Sequence, residues 1–220
     1  MKNFGVFDIV GPRMVGPSSS HTAGAARLGY VAHQLSHGRP RSARVTLYGS
    51  FATTGRGHGT DRAIVGGILG FAPDDARLRT AFQFAEEMGV EVSVAFSSQE
   101  ADHPNTARIE LETLDGTTFD IVGASIGGGN IEIRRINGMD VSFSGDYPTL
   151  LVFQRDRPGV VSAVSGFLSA HRINIAYMRV FRTSKQQDAC MVIETDEPVS
   201  PKLAEKIRGL SLDITEVFTL

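Results

Sequence analysis

The segment GPSSSHTAG, residues 16–24, surrounds His21 with more hydroxyl groups than a helix start requires. One side-chain oxygen satisfies one free N–H at a helix N-terminus, so a single Ser or Thr is a sufficient cap. Further hydroxyls extend a group of donors that, together with the positive end of the helix dipole, favours a carboxylate or phosphate. The segment is therefore a candidate polar ligand site, with a helix cap that carries spare hydroxyls as the alternative. Its hydroxyl residues are Ser18, Ser19, Ser20 and Thr22.

A second candidate segment is YGSFATTGRGHGTD, residues 48–61, in which Gly55, Gly57 and Gly59 alternate with polar side chains. This alternation predicts a flexible loop that lies against a ligand and holds His58 at its tip. Because an unperturbed imidazole has a pKa of about 6.5, His58 is a candidate proton carrier, with an exposed loop histidine as the alternative. The spacing matches neither the dinucleotide-binding nor the P-loop motif, so the sequence predicts no nucleotide binding by those modes.

Two further segments are candidates for the same site. ASIGGGN, residues 124–130, places three glycines in a row between strand-like segments, which predicts either a bulge or bend or the close approach of a ligand. DHPNTA, residues 102–107, precedes a strand and is interpreted first as a turn, with His103 and Asn105 as secondary contributors to a site.

The composition limits the classes of function. The 220 residues are 41% hydrophobic, which is enough to bury a core, and the 22 basic and 24 acidic residues form no basic run that would follow a nucleic acid or an anionic membrane. No apolar stretch approaches the roughly 20 residues of a membrane span, and the N-terminus lacks the pattern of a signal peptide. We therefore expect a folded cytoplasmic protein that binds neither nucleic acid nor membrane.

Candidate metal ligands are few. Cys190 is the only cysteine and lies in the alternating apolar run DACMVIET, which predicts a buried strand thiol rather than a nucleophile. One cysteine excludes an internal disulfide and cannot supply the several thiolates that an iron–sulfur cluster needs. His21, His58 and His103 lack the short ligand spacing of common zinc sites. We expect no metal to be bound by this chain alone.

Residues 1–146 predict an α+β domain with helices on one face of a largely antiparallel sheet. Apolar spacing indicates a helix over residues 22–37, followed by the strand ARVTLYGSFA and by helices over DRAIVGGILG and DARLRTAFQFAEEMG. VEVSVAF and the alternating segments that follow it predict the other strands, with turns at Asp115-Gly116 and Asn137-Gly138.

Residues 147–220 predict a ferredoxin-like βαββαβ domain. The strands TLLVFQ, INIAYMRVFR, DACMVIET and DITEVFTL are combined with the helical segments RPGVVSAVSGFLSAHR and SPKLAEKIRGL. The second helix begins with Ser200 as N-cap and Pro201 at its first position. Gly, Asp and Pro in SGDYP, residues 144–148, interrupt the strand pattern and mark the domain boundary.

This second domain resembles the ACT regulatory domain, whose first turn carries a D-x-P-G motif, here Asp156, Pro158 and Gly159. The resemblance implies that two copies pair side by side and bind an amino acid between protomers. It adds Asn174 and Ile175, at the start of the second strand, to the candidate ACT ligand site. The alternative is a domain that acts only in assembly.

Taken together, FDIVGPRMVGPSSSHTAGAARLG, YGSFATTGRGHGTD, HPNTA and SIGGGNIEI resemble the beta chain family of bacterial iron–sulfur-dependent L-serine dehydratases, and the resemblance covers the whole chain. It implies a two-chain enzyme that converts L-serine to pyruvate and ammonia. It also implies a [4Fe–4S] cluster held by cysteines of a separate alpha chain, whose iron acts as a Lewis acid on the serine hydroxyl while a base removes the Cα proton. A homodimer through the ACT domain, the N-terminal domain or both is expected as well.

The same resemblance assigns roles to residues. His58 is the implied base, His21 would support the substrate or the leaving water, and Asp61 would orient His58 or its loop. The N-terminal domain is also similar to the allosteric-substrate-binding fold of some phosphoglycerate dehydrogenases, which permits serine binding away from the cluster. One-chain members carry an aromatic residue before SIGGG, whereas this chain has Ala124. The resemblance therefore implies no catalytic role for a phenol at this position. The implied substrate-binding residues are Ser18, Ser19, Ser20, Thr22, Ser125, Gly127 and Gly128.

Three functional hypotheses are open on the sequence alone. The first is a dehydratase beta subunit that supplies His58 to a shared active site. The second is a non-catalytic regulatory subunit that binds an amino acid and assembles with, and tunes, the catalytic chain. The third, a stand-alone hydrolase that uses Ser20 and His21, is disfavoured because adjacent residues on a helix project about 100° apart.

Overall fold

The computed structural model describes residues 13–38 and 40–220, and the chain divides into two units, Met1–Asn137 and Gly138–Leu220. Residues 7–12, which open the first segment of the family resemblance, lie outside the described residues. The boundary expected between residues 146 and 147 falls inside the second unit, between its first two strands. No helix in the described part of the chain is both long and apolar enough to cross a membrane.

The helices of the first unit pack closely, with glycines at their contacts. In chain order the helices are the π-helical turn Ser19–Gly24, α1 (Ala25–Leu35), α2 (Gly49–His58), α3 (Thr60–Ile68), the 3₁₀ turn Ala76–Thr80 and α4 (Ala81–Glu87). A Cβ atom at Gly67 of α3 would overlap the carbonyl oxygen of Ala26 and lie 2.9 Å from the backbone nitrogen of Tyr30. Gly29 of α1 meets the carbonyl oxygen of Ile64 in the same way. The backbones of α1 and α3 therefore touch directly.

The sheet of the first unit has a continuous apolar row across its strands. These strands are β1 (Pro40–Leu47), β2 (Glu91–Phe96), β3 (Thr106–Thr113), β4 (Thr118–Gly127) and β5 (Asn130–Ile136). They lie in the order β2-β1-β3-β4-β5, parallel between β1 and β2 and antiparallel elsewhere. Val45, Ile109, Ile121 and Ile136 stand in register on β1, β3, β4 and β5, and each is at most 1% exposed. The predicted α+β architecture is confirmed.

The glycine-rich segment around His58 is helical, so the prediction of a flexible loop is wrong. It forms α2, and the chain turns into α3 only at Gly59, whose φ of 69° lies in the left-handed region. Glycine disfavours helix interiors by about 1 kcal/mol per residue, but tertiary packing routinely overrides such propensities. Phe51 and Gly55 on α2 are buried against the rest of the unit. His58 therefore ends a helix instead of standing at the tip of a loop.

The second unit has the predicted ferredoxin-like βαββαβ arrangement. After the strand β6 (Met139–Phe143), which is not part of this arrangement, its elements are β7 (Thr149–Arg155), α5 (Val160–Ala170), β8 (Ile175–Arg182), β9 (Asp188–Thr195), α6 (Pro201–Arg208) and β10 (Ile214–Thr219). Four of these strands form an antiparallel sheet in the order β10-β7-β9-β8. At the start of α6, Ser200 Oγ accepts a hydrogen bond from the N–H of Leu203 at 3.4 Å, which confirms the predicted cap.

The single thiol provides a test of the core of the second unit. Cys190 lies on β9 with none of its surface exposed, and burial raises the pKa of its thiol to about 12. Because the thiolate is the reactive form, we expect the native protein to resist a thiol-reactive dye at about pH 8 and to react fully once unfolded in urea. Rapid labelling of the native protein would contradict a closed core around β9.

Candidate active site

His21 lies at the centre of a group of hydroxyls contributed by two elements. Its Nδ1 lies 3.3 Å from Ser18 Oγ, and the same hydroxyl accepts a hydrogen bond from the backbone N–H of His21 at 3.2 Å. Its Nε2 lies 3.0 Å from both Ser50 Oγ and Thr54 Oγ1, which are four residues apart on α2 and therefore share one face of that helix. Both ring nitrogens of His21 are thus held by hydroxyl groups.

This environment keeps His21 neutral near pH 7. Burial lowers the pKa of the His21 imidazole below its ordinary value of 6.5, and the nearby ring of His58 lowers it further. A contact with the backbone of Ser50 acts in the opposite direction but is the smallest of the three causes. A neutral imidazole donates from one nitrogen and accepts at the other, and hydroxyls can serve either role. His21 is therefore suited to orient a neighbour by hydrogen bonding.

His58 lies beside His21 with one ring nitrogen available for a further partner. The two ring centroids are 4.9 Å apart with an interplanar angle of 63°. Thr22 Oγ1 donates a hydrogen bond to the carbonyl oxygen of His58 at 3.4 Å, which ties the end of α2 to the π-helical turn. The Nδ1 atom of His58 is buried and has no hydrogen-bond partner within the described residues. Since buried polar atoms are nearly always hydrogen-bonded, this unpaired nitrogen is a candidate contact for a substrate or a partner chain.

Ser125, in the segment ASIGGGN, packs against the same π-helical turn. Its side chain is fully buried, and a Cβ atom at Gly24 would overlap its hydroxyl oxygen. The N–H of Ser125 donates to the carbonyl oxygen of Asn105 at 3.0 Å, and Asn105 Nδ2 donates to the carbonyl oxygen of Ser125 at 3.4 Å. Ser125 Oγ and Asn105 Oδ1 are both buried without a partner among the residues the structure describes. The SIGGG and HPN motifs are thus joined to each other and packed on the turn that carries His21.

The structure gives the remaining predicted site residues different surroundings. Ser19 and Ser20 lie within the π-helical turn, partly buried. The carboxylate of Asp61 accepts a hydrogen bond from the N–H of Arg62 at 2.9 Å, whereas the buried nitrogen of the His58 ring has no partner in the described chain, so Asp61 does not orient it through that atom. Gly127 and Gly128 turn the chain from β4 into β5, with φ values of 104° and 62°.

Sequence inspection missed the hydroxyls of Ser50 and Thr54. Both belong to the segment that contains His58, but their spacing becomes informative only if the segment is helical. A helical assignment of GSFATTGRGH would place the two hydroxyls on one face, four residues apart. The glycines of the segment argue against such an assignment on propensity alone.

The candidate ACT ligand residues occupy two places in the second unit. Asp156 accepts hydrogen bonds from the N–H of Gln186 and from Arg182 Nη1, both at 3.1 Å, and these contacts, the first more than the second, hold the pKa of its carboxyl below the ordinary value. Pro158 and Gly159 follow it in the turn before α5. A cavity of about 380 Å³ lies elsewhere on the unit. Its lining consists of Ser165, Ser169, Arg172, Ile173, Asn174 and Ile175.

The described residues do not provide a metal site. No group of three or more His, Cys, Asp or Glu side chains among them is arranged to hold a metal ion. The thiol of Cys190, with its pKa raised to about 12 by burial in the second unit, is a poor ligand because metals bind the thiolate. The residues of this chain that the structure describes therefore do not fit an iron–sulfur cluster.

Comparison with known proteins defines the protein family to which the chain belongs. The ACT domain family matches residues 148–211, so the second unit is an ACT domain that follows a separate α+β unit. The family described as "Serine dehydratase beta chain" matches residues 4–101. The chain is 43% identical to the "Probable L-serine dehydratase, beta chain" of Bacillus subtilis (strain 168), over 96% of this chain and 95% of the relative. The chain belongs to the serine dehydratase beta chain family.

Two further relatives show how far the similarity extends. The "L-serine dehydratase, beta chain" of Peptoniphilus asaccharolyticus is 38% identical over 96% of this chain and 95% of its own length. The "D-3-phosphoglycerate dehydrogenase" of Bacillus subtilis (strain 168) is 30% identical over 60% of this chain and 25% of its own length. The family resemblance inferred from the SSSHT, GHGTD and SIGGG motifs is confirmed.

The lowered pKa of His21 predicts a specific dependence on pH. Because its folded pKa lies below the unfolded value of about 6.5, the unfolded chain binds more protons as the pH falls through that value. The contribution of His21 to stability is therefore present above about pH 6.5 and is lost as the pH falls toward the folded pKa. His103 has a pKa lowered mainly by burial and acts with the same sign.

We expect an NMR titration of the histidine rings to place the His21 midpoint below about 6.5. The free energy of unfolding, measured with urea, should fall as the pH is lowered from about 7 to about 5. We expect this fall to be smaller in His21→Asn than in His37→Asn, where the histidine lies at an exposed turn. A His21 midpoint above that value would contradict the buried, hydroxyl-bound environment.

Proposed function

We propose that this chain is the beta subunit of a two-chain, iron–sulfur-dependent L-serine dehydratase that converts L-serine to pyruvate and ammonia in the cytoplasm. The proposal is supported by the relatives that carry the name of that subunit over nearly their whole length. The observation that carries it is the pair of histidines 4.9 Å apart, in which His58 has a buried nitrogen without a partner in the described structure.

In this proposal His58 is the general base. Its imidazole takes the Cα proton of L-serine, and the electron pair of that bond forms a Cα–Cβ double bond. The Cβ hydroxyl then leaves as water, with the proton returned by the His58 imidazolium. The resulting enamine tautomerises to an imine, which water hydrolyses to pyruvate and ammonia. The substrate thereby loses one water and gains one, so the atoms balance. His21, neutral and fixed by three hydroxyls, positions the His58 ring and the polar groups of the substrate.

The [4Fe–4S] cluster is assigned to a separate alpha chain. This assignment agrees with the single cysteine of the sequence, which is buried in the ACT domain. The beta chain then contributes acid–base and binding groups, while no ligand to the cluster comes from its side chains. Ser18, Thr22 and Ser125, which border the same turn, are proposed to contact the substrate or the leaving water.

Reconstitution with the alpha chain tests this function. We expect pyruvate formation from L-serine when both chains are purified together without oxygen, and little or none from either chain alone. The control is the same mixture exposed to air, in which a cluster-dependent activity should decline. Full activity of the isolated beta chain, or an alpha chain that is equally active alone, would refute the proposed division of labour.

A regulatory subunit is the second candidate function. It rests on the resemblance to ACT domains, which implies amino-acid binding, and the second unit has a cavity of about 380 Å³ beside Asn174 that could hold such a ligand. Pairing of two chains through this domain stays a prediction. It is supported by β8, an edge strand of the sheet with exposed Tyr177, Met178 and Val180. The two functions differ in whether His58 takes part in the reaction.

A further inference from the structure

A cavity of about 430 Å³ lies against His58 in the first unit. Its wall combines the end of α2, the start of α3, the 3₁₀ turn after α3 and the residues just before the π-helical turn. His58 and Thr22 both line it, so the cavity borders the histidine of the pair that is proposed as the base. A space of this size accommodates a small metabolite.

Three arginines give the cavity a positive lining. Arg56, Arg62 and Arg79 all contribute to its wall, and none of its described lining residues is acidic. None of the three forms an ion pair within the described part of the chain. The guanidinium carbon of Arg56 lies over the Phe96 ring, 4.7 Å from its centre, which is a cation–π contact.

The neighbouring Arg77 shows the contrast. It lies on the same 3₁₀ turn as Arg79, but its guanidinium contacts the carboxylate of Asp75, with Nε 3.0 Å from Oδ1, and covers the ring of Phe71 at 4.0 Å. Arg77 is therefore paired with a carboxylate and packed on a ring, whereas the arginines around the cavity have no carboxylate partner among the described residues. Guanidinium groups bind carboxylates through paired, charge-assisted hydrogen bonds.

We propose that Arg62 and Arg79 bind the α-carboxylate of the substrate in this cavity, with Arg56 adding to the positive field. This inference rests on the proposed function, in which His58 removes the Cα proton. The Cα atom is bonded directly to the carboxylate carbon, so the groups that bind the carboxylate must share a cavity with the base. Pairing the carboxylate with cations also reduces the negative charge that opposes loss of the Cα proton.

The test uses the assembled two-chain enzyme with the double variant Arg62→Met, Arg79→Met. Methionine retains much of the side-chain length and removes the charge, and Arg56 is left in place because it packs on Phe96. We expect KM for L-serine to rise about tenfold or more, because a charged hydrogen bond to the substrate is lost. The double variant with lysine at both positions should recover part of this loss. The matched control is Arg77→Met, for which we expect a change in KM of about twofold or less.

Three accompanying measurements separate the possible failures. Circular dichroism and urea unfolding check that the variant chain folds, and gel filtration checks that it still binds the alpha chain. An unchanged KM in the folded, assembled variant would overturn the inference. An effect explained entirely by weaker assembly would also overturn it, since the arginines would then contact the alpha chain. If the wild-type assembly formed no pyruvate, the proposed function itself would fail, which is a different result from an active enzyme with an unchanged KM.

Discussion

Replacing His58 with alanine in the assembled two-chain enzyme is expected to lower kcat for L-serine by about 10² to 10⁴, the usual share of general acid–base catalysis. The substitution removes the one ring of the histidine pair for which the described structure provides no hydroxyl partner. It leaves the carbonyl oxygen of His58 available to Thr22, so the tie between α2 and the π-helical turn is retained. KM should change much less than kcat, because the carboxylate is assigned to other residues.

The matched control is His171→Ala in the ACT domain. His171 is exposed, and its Nδ1 contacts the carbonyl oxygen of Phe167 at 2.8 Å, while its ring packs on that of the same residue. We expect this variant to retain kcat within about twofold. Near-normal kcat in His58→Ala would favour the regulatory subunit over the catalytic one. Measuring the pH dependence of kcat in both the wild type and His58→Ala would add a second check, since loss of the base should remove the acidic limb of the profile.

The ferredoxin-like fold could be predicted because its signals are local. Alternating apolar residues mark each strand, and the adjacent residues Ser200 and Pro201 mark the start of α6. The same holds for the turn at Asn137-Gly138, where both residues have positive φ, 51° and 78°. Such features depend on neighbouring residues and need no knowledge of the tertiary structure.

The helix α2 could not be predicted in that way. Its sequence GSFATTGRGH is rich in glycine, and propensity assigns such a run to a loop. Tertiary packing decides the outcome, because Phe51 is fully buried and Gly55 lies against Thr60 and Phe96, where a Cβ atom would approach to 3.3 and 3.5 Å. Gly55 is thus needed for close packing. From the sequence alone, a glycine required for packing looks the same as a glycine required for flexibility.

The candidate site could be predicted only in part for the same reason. The contact between Ser18 and His21 spans three residues and follows from a helix cap. Ser50 and Thr54 reach the same ring from 29 and 33 residues away along the chain, through the fold of α2 against the π-helical turn. The cationic cavity beside His58 likewise needs several separate elements to be in place. Motifs identify residue types, whereas these distances depend on the packing between elements.

Replacing Gly67 with alanine is expected to destabilise the first unit strongly. The added Cβ would overlap the carbonyl oxygen of Ala26 and would lie 2.9 Å from the backbone nitrogen of Tyr30. Both obstacles are backbone atoms in a second helix, so no side-chain rotation relieves the overlap and α1 must move away from α3. Overpacking of this kind costs about 1 to 3 kcal/mol and occasionally more, and we expect a loss of at least about 3 kcal/mol.

The helix propensity of alanine does not compensate for this overlap. Alanine gains only about 0.5 to 1 kcal/mol over glycine inside a helix, which is smaller than the expected cost. The matched control is Gly166→Ala on α5, where nothing lies within 4 Å of the added Cβ. There we expect the propensity gain alone, so the free energy of unfolding should rise by about 0.5 to 1 kcal/mol. Urea unfolding followed by circular dichroism measures both variants, and a Gly67→Ala protein as stable as the wild type would show that the two helices are not in backbone contact.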